Sequence, residues 1–397
     1  MTDVFILSAT RTAIGGFGGS LSGLTPIDLA TTVAKSAITQ SGIGSDQIGQ
    51  VVFGHVINTE PRDMYLSRVA ARNAGVPDAT PAMNVNRLCG SGAQAIVSAF
   101  QMLTMGDTDF ALAGGAECMS RAPFALTTAR FGQKMGDTRA LDMMTGALTC
   151  PFGTGHMGIT AENVAARYGI SREGQDDFAL QSQNRAALAI AEGRFVEQIT
   201  PVDLQSRKGT ISFAVDEHPK PSTMDALQAL RPAFQKDGTV TAGNASGIND
   251  GAAALVLGTG AAVLGLKPRA RIMGYALAGV DPAVMGLGPI PAVQRLCQKL
   301  GLRPTDFDIV ESNEAFAAQA MAVTQELGLD PARVNPNGGA IALGHPVGAT
   351  GAMLVVKALH ELERTGGKLA LITMCIGGGQ GIALAIERIS ESGLQSI

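Results

Sequence analysis

The chain has 397 residues, 46% of them hydrophobic and 16% charged, a balance that excludes disorder and suits two or three packed domains. A formal net charge of −4 leaves no basic field for nucleic acid, and fifty glycines without a G-x-y period exclude collagen. Five cysteines, odd in number, widely spaced and without C-x-x-C, argue against a disulfide framework or a structural zinc, so no metal is expected.

Val4-Phe5-Ile6-Leu7 reads as a strand with no basic stretch before it, so no signal peptide is expected. A helical pattern over 27–40 leads to the buried strand Val51-Val52-Phe53. Cys89 then stands in a turn, with Gly90, Ser91 and Gly92 after it, directly before a helix expected over 92–105. The positive end of that helix dipole should lower the thiol pKa, and small neighbours let a strained turn project the sulfur. The alternative is an ordinary buried cysteine, the reading adopted for Cys118, Cys150 and Cys297. A strand from Phe110 ends at Gly114-Gly115.

The stretch 119–248 breaks this rhythm with more charge, irregular loops and His218-Pro219-Lys220-Pro221. It reads as an insertion lying over the core, with an amphipathic surface helix over 172–193. Gly153-Thr154-Gly155-His156-Met157-Gly158 matches G-x-G-x-x-G but follows no strand and sits in no βαβ unit, so a dinucleotide site is dismissed. The strand Ala253-Ala254-Leu255-Val256-Leu257 resumes the first half, and a helix is expected over 290–300.

After the strand-like Asp308-Ile309-Val310 comes Asn313, whose amide could position a water or a substrate oxygen, or cap a helix. His345 lies in a glycine-rich turn before Pro346, which suits the first position of a helix continuing over 351–364. Such a histidine can accept a thiol proton; the alternative is a core histidine satisfied by neighbours. Cys375 ends the strand Leu369-Ala370-Leu371-Ile372-Thr373-Met374 and precedes Gly377-Gly378-Gly379, whose N–H groups can form an anion nest; a second thiol there could act as acid or base.

Both parts of the chain therefore run glycine-rich turn, helix, turn, strand, glycines, which implies two similar α/β halves with turns facing each other. The alternation of strands and helices points to α/β layers with a mostly parallel sheet. The expected division is 1–118 plus 249–268, the insertion 119–248, and 269–397. No run of 18 apolar residues reads as a membrane span, and the terminal Leu394-Gln395-Ser396-Ile397 is neither a prenylation box nor a peroxisomal address; a cytoplasmic protein is expected.

Asn86-Arg87-Leu88-Cys89-Gly90-Ser91-Gly92, Asn313-Glu314-Ala315-Phe316-Ala317, Gly344-His345-Pro346 and Cys375-Ile376-Gly377-Gly378-Gly379, in this order and spacing, resemble the four motifs of the thiolase family over essentially the whole chain. The resemblance implies two βαβαβαββ halves in an α/β/α/β/α layering with an inserted loop domain. It implies reversible Claisen chemistry on acetyl-CoA and short 3-ketoacyl-CoA, with coenzyme A as substrate and no resident cofactor. Cys89 would be the nucleophile, Cys375 the acid or base, His345 and Asn313 an enolate oxyanion hole, and the N–H groups of Cys89 and Gly377 a second one. Ser246 would touch pantetheine, Phe234 the adenine and Lys220 the phosphates, although the Lys220 neighbourhood departs from the short-chain pattern.

His156-Met157-Gly158 resembles the acyl pocket of short-chain members, where Met157 would fill the space a long chain needs, and Asn58 to Tyr65 is similar to bacterial members of slightly broader range. Leu148, Ala242, Met285, Ala315 and Phe316 complete the CoA and acyl contacts by the same resemblance. A homo-oligomer is implied, a tetramer more than a dimer, with 121–144 as the tetramerisation loop. The alternative is a degradative thiolase of fatty-acid or aromatic catabolism with broader chain length. A decarboxylating synthase would lack Cys375, and a non-catalytic acyl-binding relative would not need both thiols and the histidine.

Overall fold

The computed structural model describes residues 2–207 and 209–390, so the terminal segment 394–397 lies outside the described residues. The first half runs β1 (Val4–Arg11), β2 (Gly15–Gly16), α1 (Pro26–Ser41), β3 (Gln50–Gly54), α2 (Leu66–Asn73), β4 (Ala82–Val85), α3 (Ser91–Met105) and β5 (Phe110–Cys118). Thr25 starts α1 with a reciprocal capping box to Asp28, and Gly42 in the left-handed region ends it.

Between β5 and the return strand come two short ladders, β6 (Phe124–Ala125) with β7 (Leu141–Asp142), and, after α4 (Met143–Ala147), β8 (Thr149–Cys150) with β9 (Gly155–His156). Helices α5 (Met157–Tyr168) and α6 (Arg172–Ala191) follow, then the hairpin β10 (Val202–Ser206) and β11 (Gly209–Phe213), and α7 (Met224–Gln228). The G-x-G-x-x-G stretch thus spans a small hairpin and the start of α5, not a βαβ turn. Helix α6 differs from its expected amphipathic, surface-lying form. Its inward side buries Gln175, Asp176 and Ser182 among small alanines, because Ser182 donates to Glu314 (2.7 Å) and Asn244 donates to Asp176 (2.9 Å).

The chain returns through β12 (Asn249–Thr259). The second half is β13 (Ala270–Gly279), α8 (Pro289–Leu300), β14 (Ile309–Ser312), α9 (Ala317–Glu326), α10 (Ala340–Leu343), α11 (Val347–Thr365), β15 (Leu369–Ile376) and β16 (Gln380–Arg388). Strands order as β4-β3-β5-β12-β1 in one half and β14-β15-β16-β13 in the other. A parallel bridge from Val310 to Val334 stands beside β14 as β4 stands beside β3, so the halves repeat. They join where β1 meets β13 at Phe5↔Arg271 and Ile6↔Ala270.

The sheet is mixed, which corrects the mostly parallel expectation. Among the strands of the described residues, only β3–β4, β3–β5 and β14–β15 pair in parallel. The β15–β16 turn is only three residues long, which no parallel pair can accommodate, and β12 runs antiparallel to both its long neighbours. Strand direction is silent in such sequences: β12 is buried at every position, so its apolar run reads the same either way.

Helices α3 and α11 form the middle layer, with one core filling both their sides against the inner faces of the two halves. A second core lies under α1 and α2, and a third under α8 and α9, giving five layers. A Cβ on Gly92 would strike Ala352 N and Ala349 O, and one on Gly351 would strike Ala93 N, so the two central helices cross backbone to backbone.

Candidate active site

The two central helices begin at the same place, and their preceding turns face one cavity of about 650 Å³. Ahead of α3, Leu88 is forced to φ 46°, a left-handed conformation costly for a branched side chain. The turn is held by Asn86 Oδ1 accepting from Leu88 N–H (2.9 Å), and by Ser91 Oγ, which accepts from Arg87 N–H (2.9 Å) and donates to Leu88 O (2.6 Å). A Cβ on Gly90 would crowd the Ile376 side chain. Cys89 is thereby delivered to the cavity wall.

Its electrostatics differ from the expectation. Burial pushes the Cys89 thiol above its ordinary value, the N–H groups of Gly377 and Cys89 pull it partly back, and Glu117 adds to the rise. The helix start alone does not yield a resting thiolate; a base must take the proton.

That base is available. His345 precedes α11, which starts at Val347 with Pro346 as its N-cap, one residue later than expected. The His345 N–H donates to Asn249 Oδ1 (2.9 Å), and Asn249 in turn donates to Gly15 O (3.0 Å). Thr350 Oγ1 donates to Pro346 O (2.9 Å), so its oxygen must accept from His345 Nδ1–H (2.7 Å). This fixes the tautomer: Nε2 carries the lone pair. Burial lowers the imidazole pKa to about 4, so the ring is neutral near pH 7 and able to accept a proton.

Asn313 lies 3.5 Å from His345 Nε2 through Nδ2, while its buried Oδ1 has no partner, a place suited to a water. It does not cap α9, whose N-cap is Phe316.

Cys375 is buried at the end of β15 and lines the same cavity. Burial raises its thiol well above the ordinary range, and the neighbouring Cys89 raises it further. Gly377 begins the turn to β16 with its N–H toward the Cys89 sulfur. A Cβ there would press on Leu88 and Met157.

Met157, Met285, Ala315 and Phe316 pack with Cys375 in one apolar cluster, against which Phe234 lies, and all line the cavity. His156 caps α5 by accepting Gly158 N–H at Nδ1 (3.1 Å) and stacks on Phe234 with ring centroids 4.7 Å apart. Leu148, Ala242, Ser246 and exposed Lys220 complete the wall. Every expected site residue except Asn313 therefore faces this cavity, and Asn313 reaches it through His345. Cys118, Cys150 and Cys297 are buried, and none of the three lines the cavity.

Val56, Met119, His218 and Val347 also line it but escape a local reading. So do Asn249, Thr350 and Glu117, which hold the turn around His345. Only Thr350 left a signal: it lies one helical turn beyond Pro346, on the face below His345.

The chain belongs to the thiolase family. The thiolase N-terminal domain family matches residues 4–261 and the C-terminal domain family residues 266–388. Beta-ketothiolase BktB of Cupriavidus necator is 57% identical over 98% of this chain and 99% of its own length. An acetyl-CoA acetyltransferase of Thiocystis violacea is 49% identical over 98% of this chain and 100% of its own. The crystal structure of the Bacillus anthracis acetyl-CoA acetyltransferase superposes with a TM-score of 0.96 at 43% identity, covering 98% of this chain and 99% of that one. Among the described residues no helix is long and apolar enough to cross a membrane.

Proposed function

We propose that the protein is an acetyl-CoA C-acetyltransferase that condenses two acetyl-CoA molecules reversibly to acetoacetyl-CoA and CoA, and that cleaves short 3-ketoacyl-CoA. The observation that carries this reading is the gathering of Cys89, His345, Cys375 and Gly377 on one cavity from far-separated parts of the chain. Relatives named for this activity match over nearly the full chain.

His345 Nε2 takes the Cys89 proton, and the thiolate attacks the acyl carbonyl. The N–H groups of Cys89 and Gly377 stabilise the tetrahedral oxyanion, each such donor contributing about 3–4 kcal/mol. As CoA leaves, Cys375 gives its thiol proton to the CoA sulfur, and the acetyl group stays on Cys89. The Cys375 thiolate then removes the α-proton of a second acetyl-CoA, while the Nε2–H of the His345 imidazolium and a water at Asn313 donate to the enolate oxygen; the carbanion attacks the acetyl-cysteine, and the released Cys89 sulfur takes its proton back from His345. In thiolysis the steps reverse, with Cys375 protonating the departing enolate. Coenzyme A is a substrate and product, and no resident cofactor is needed.

Met157, Met285 and Phe316 crowd the inner wall, which supports short acyl chains; methionine adapts enough for a modest extension. Thiolysis rates for acetoacetyl-, 3-ketohexanoyl- and 3-ketooctanoyl-CoA test this. A steep fall along the series is expected, and a rise would assign the enzyme to broad degradative thiolysis instead. The protein is a cytoplasmic homotetramer in this reading. Phe124, Leu126, Phe131 and Met135 stand exposed on the loop within 121–144, an apolar set suited to burial between copies. Light scattering of the Phe131→Ser, Met135→Ser variant should report a dimer.

A further inference from the structure

Glu117 lies near the end of β5, fully buried, behind the helix start that follows His345. Its Oε2 accepts from Val56 N–H (3.0 Å) and from Gly348 N–H (2.9 Å), and its Oε1 accepts from Ile57 N–H (3.0 Å). Gly348 is the second residue of α11, and a Cβ there would collide with the carboxylate, so glycine is what lets Glu117 reach that N–H. One side chain thus ties three walls: strand β5, the cavity-lining loop at Val56, and the helix start that follows His345.

The charge state follows from the partners. All three are donors, and none could accept a carboxyl proton, so although burial pushes the carboxyl up, the bonding pattern requires the carboxylate. His55 Nδ1–H donates to Ala116 O (2.9 Å) and lies 3.4 Å from Glu117 Oε1, which adds a favourable dipole. The positive end of α11 favours the anion as well. The titratable groups around Glu117 are His55 from the loop after β3, Cys89 before α3, Cys118 on its own strand, and Asp250, which pairs with Cys118 across β12.

We propose that Glu117 is a positioning residue of the thiolase reaction: its three N–H bonds fix the start of α11, and with it the His345 turn, against the cavity-lining loop at Val56 and Ile57. The effect is to hold His345 in place for the nucleophile. The inference rests on Cys89 being the nucleophile.

The test reads kcat and KM for acetoacetyl-CoA alongside iodoacetamide alkylation of the Cys89 peptide, followed by mass spectrometry. Glu117→Asp keeps the charge and loses the reach; kcat should fall about tenfold while KM holds, the size expected of a small misplacement. Glu117→Gln keeps the length but turns one acceptor oxygen into a donor facing N–H groups, so its kcat should fall at least as far. Wild-type kcat in Glu117→Asp, or a loss carried by KM alone, would overturn the positioning role. If the Gln variant does not fold, the Asp arm decides. Alkylation that never selects Cys89 in the wild type would instead remove the nucleophile assignment itself.

Discussion

Replacing Thr350 with valine keeps the shape of the α11 turn and deletes one oxygen. Pro346 O retains bonds from Ala349 N–H and Thr350 N–H (both 2.9 Å), so the backbone loses little. His345 Nδ1–H loses its 2.7 Å acceptor inside the protein, and an orphaned buried donor costs about 1–3 kcal/mol of stability. The chemical consequence is larger. Without Thr350 the ring can place its proton on Nε2, where a rotated Asn313 would offer the oxygen that now has no partner. A preference of about 1.4 kcal/mol for that tautomer leaves one ring in ten able to accept the Cys89 proton. Thr350→Val should therefore acylate at least about tenfold more slowly while binding CoA normally. Single-turnover acetylation by acetyl-CoA, quenched and read by mass spectrometry, measures this; acylation at the wild-type rate would show that Thr350 does not set the tautomer.

Cys89→Ala should form no acyl-enzyme, and a stable adduct on that variant would disprove the nucleophile. Cys375→Ala should still acylate but neither condense nor protonate the enolate, so normal turnover would exclude Cys375 from the chemistry. Burial holds His345 and His360 down to about 4, well below a free imidazole, so both are protonated in the unfolded chain before they are in the native one. Their neutral burial supports the fold fully above pH 6.5, and that support, up to about 3 kcal/mol apiece, is lost as pH falls toward 4. Urea midpoints should decline over that window, and His360→Gln should decline less steeply; identical slopes would argue against His360. Gly351→Ala should destabilise by about 3 kcal/mol or more, because the methyl meets the backbone of α3; thermal melting would show it, and an unchanged midpoint would mean that the helices can separate freely.

The parts of the molecule legible in the sequence were those written in local chemistry. Cys89, His345, Cys375 and Gly377 each sit in a short glycine-rich string, and their helices and strands fall within a few residues of the patterns that announced them. Strand direction was hidden, because β5 and β12 bury every side chain and their apolar runs carry no sense of direction. The resting state of Cys89 was hidden too. The helix start is visible beside it, but the burial that outweighs it is made by distant parts of the chain brought in by the fold, with Glu117 adding to the rise. Asn249 meets His345 across 96 residues and Glu117 meets Gly348 across 231, so no window of sequence could have paired them.

The contact of Gly92 and Gly351 with the opposite helix backbone has a further consequence. The proposed nucleophile Cys89 and base His345 belong to different halves, and the gap between them is gauged by main chain touching main chain, with no rotamer in between. Thermal hopping of side chains cannot widen it. A gene split in the link at 260–269 would give two fragments with half a reaction centre each, inert apart and competent only when those two helices clasp again.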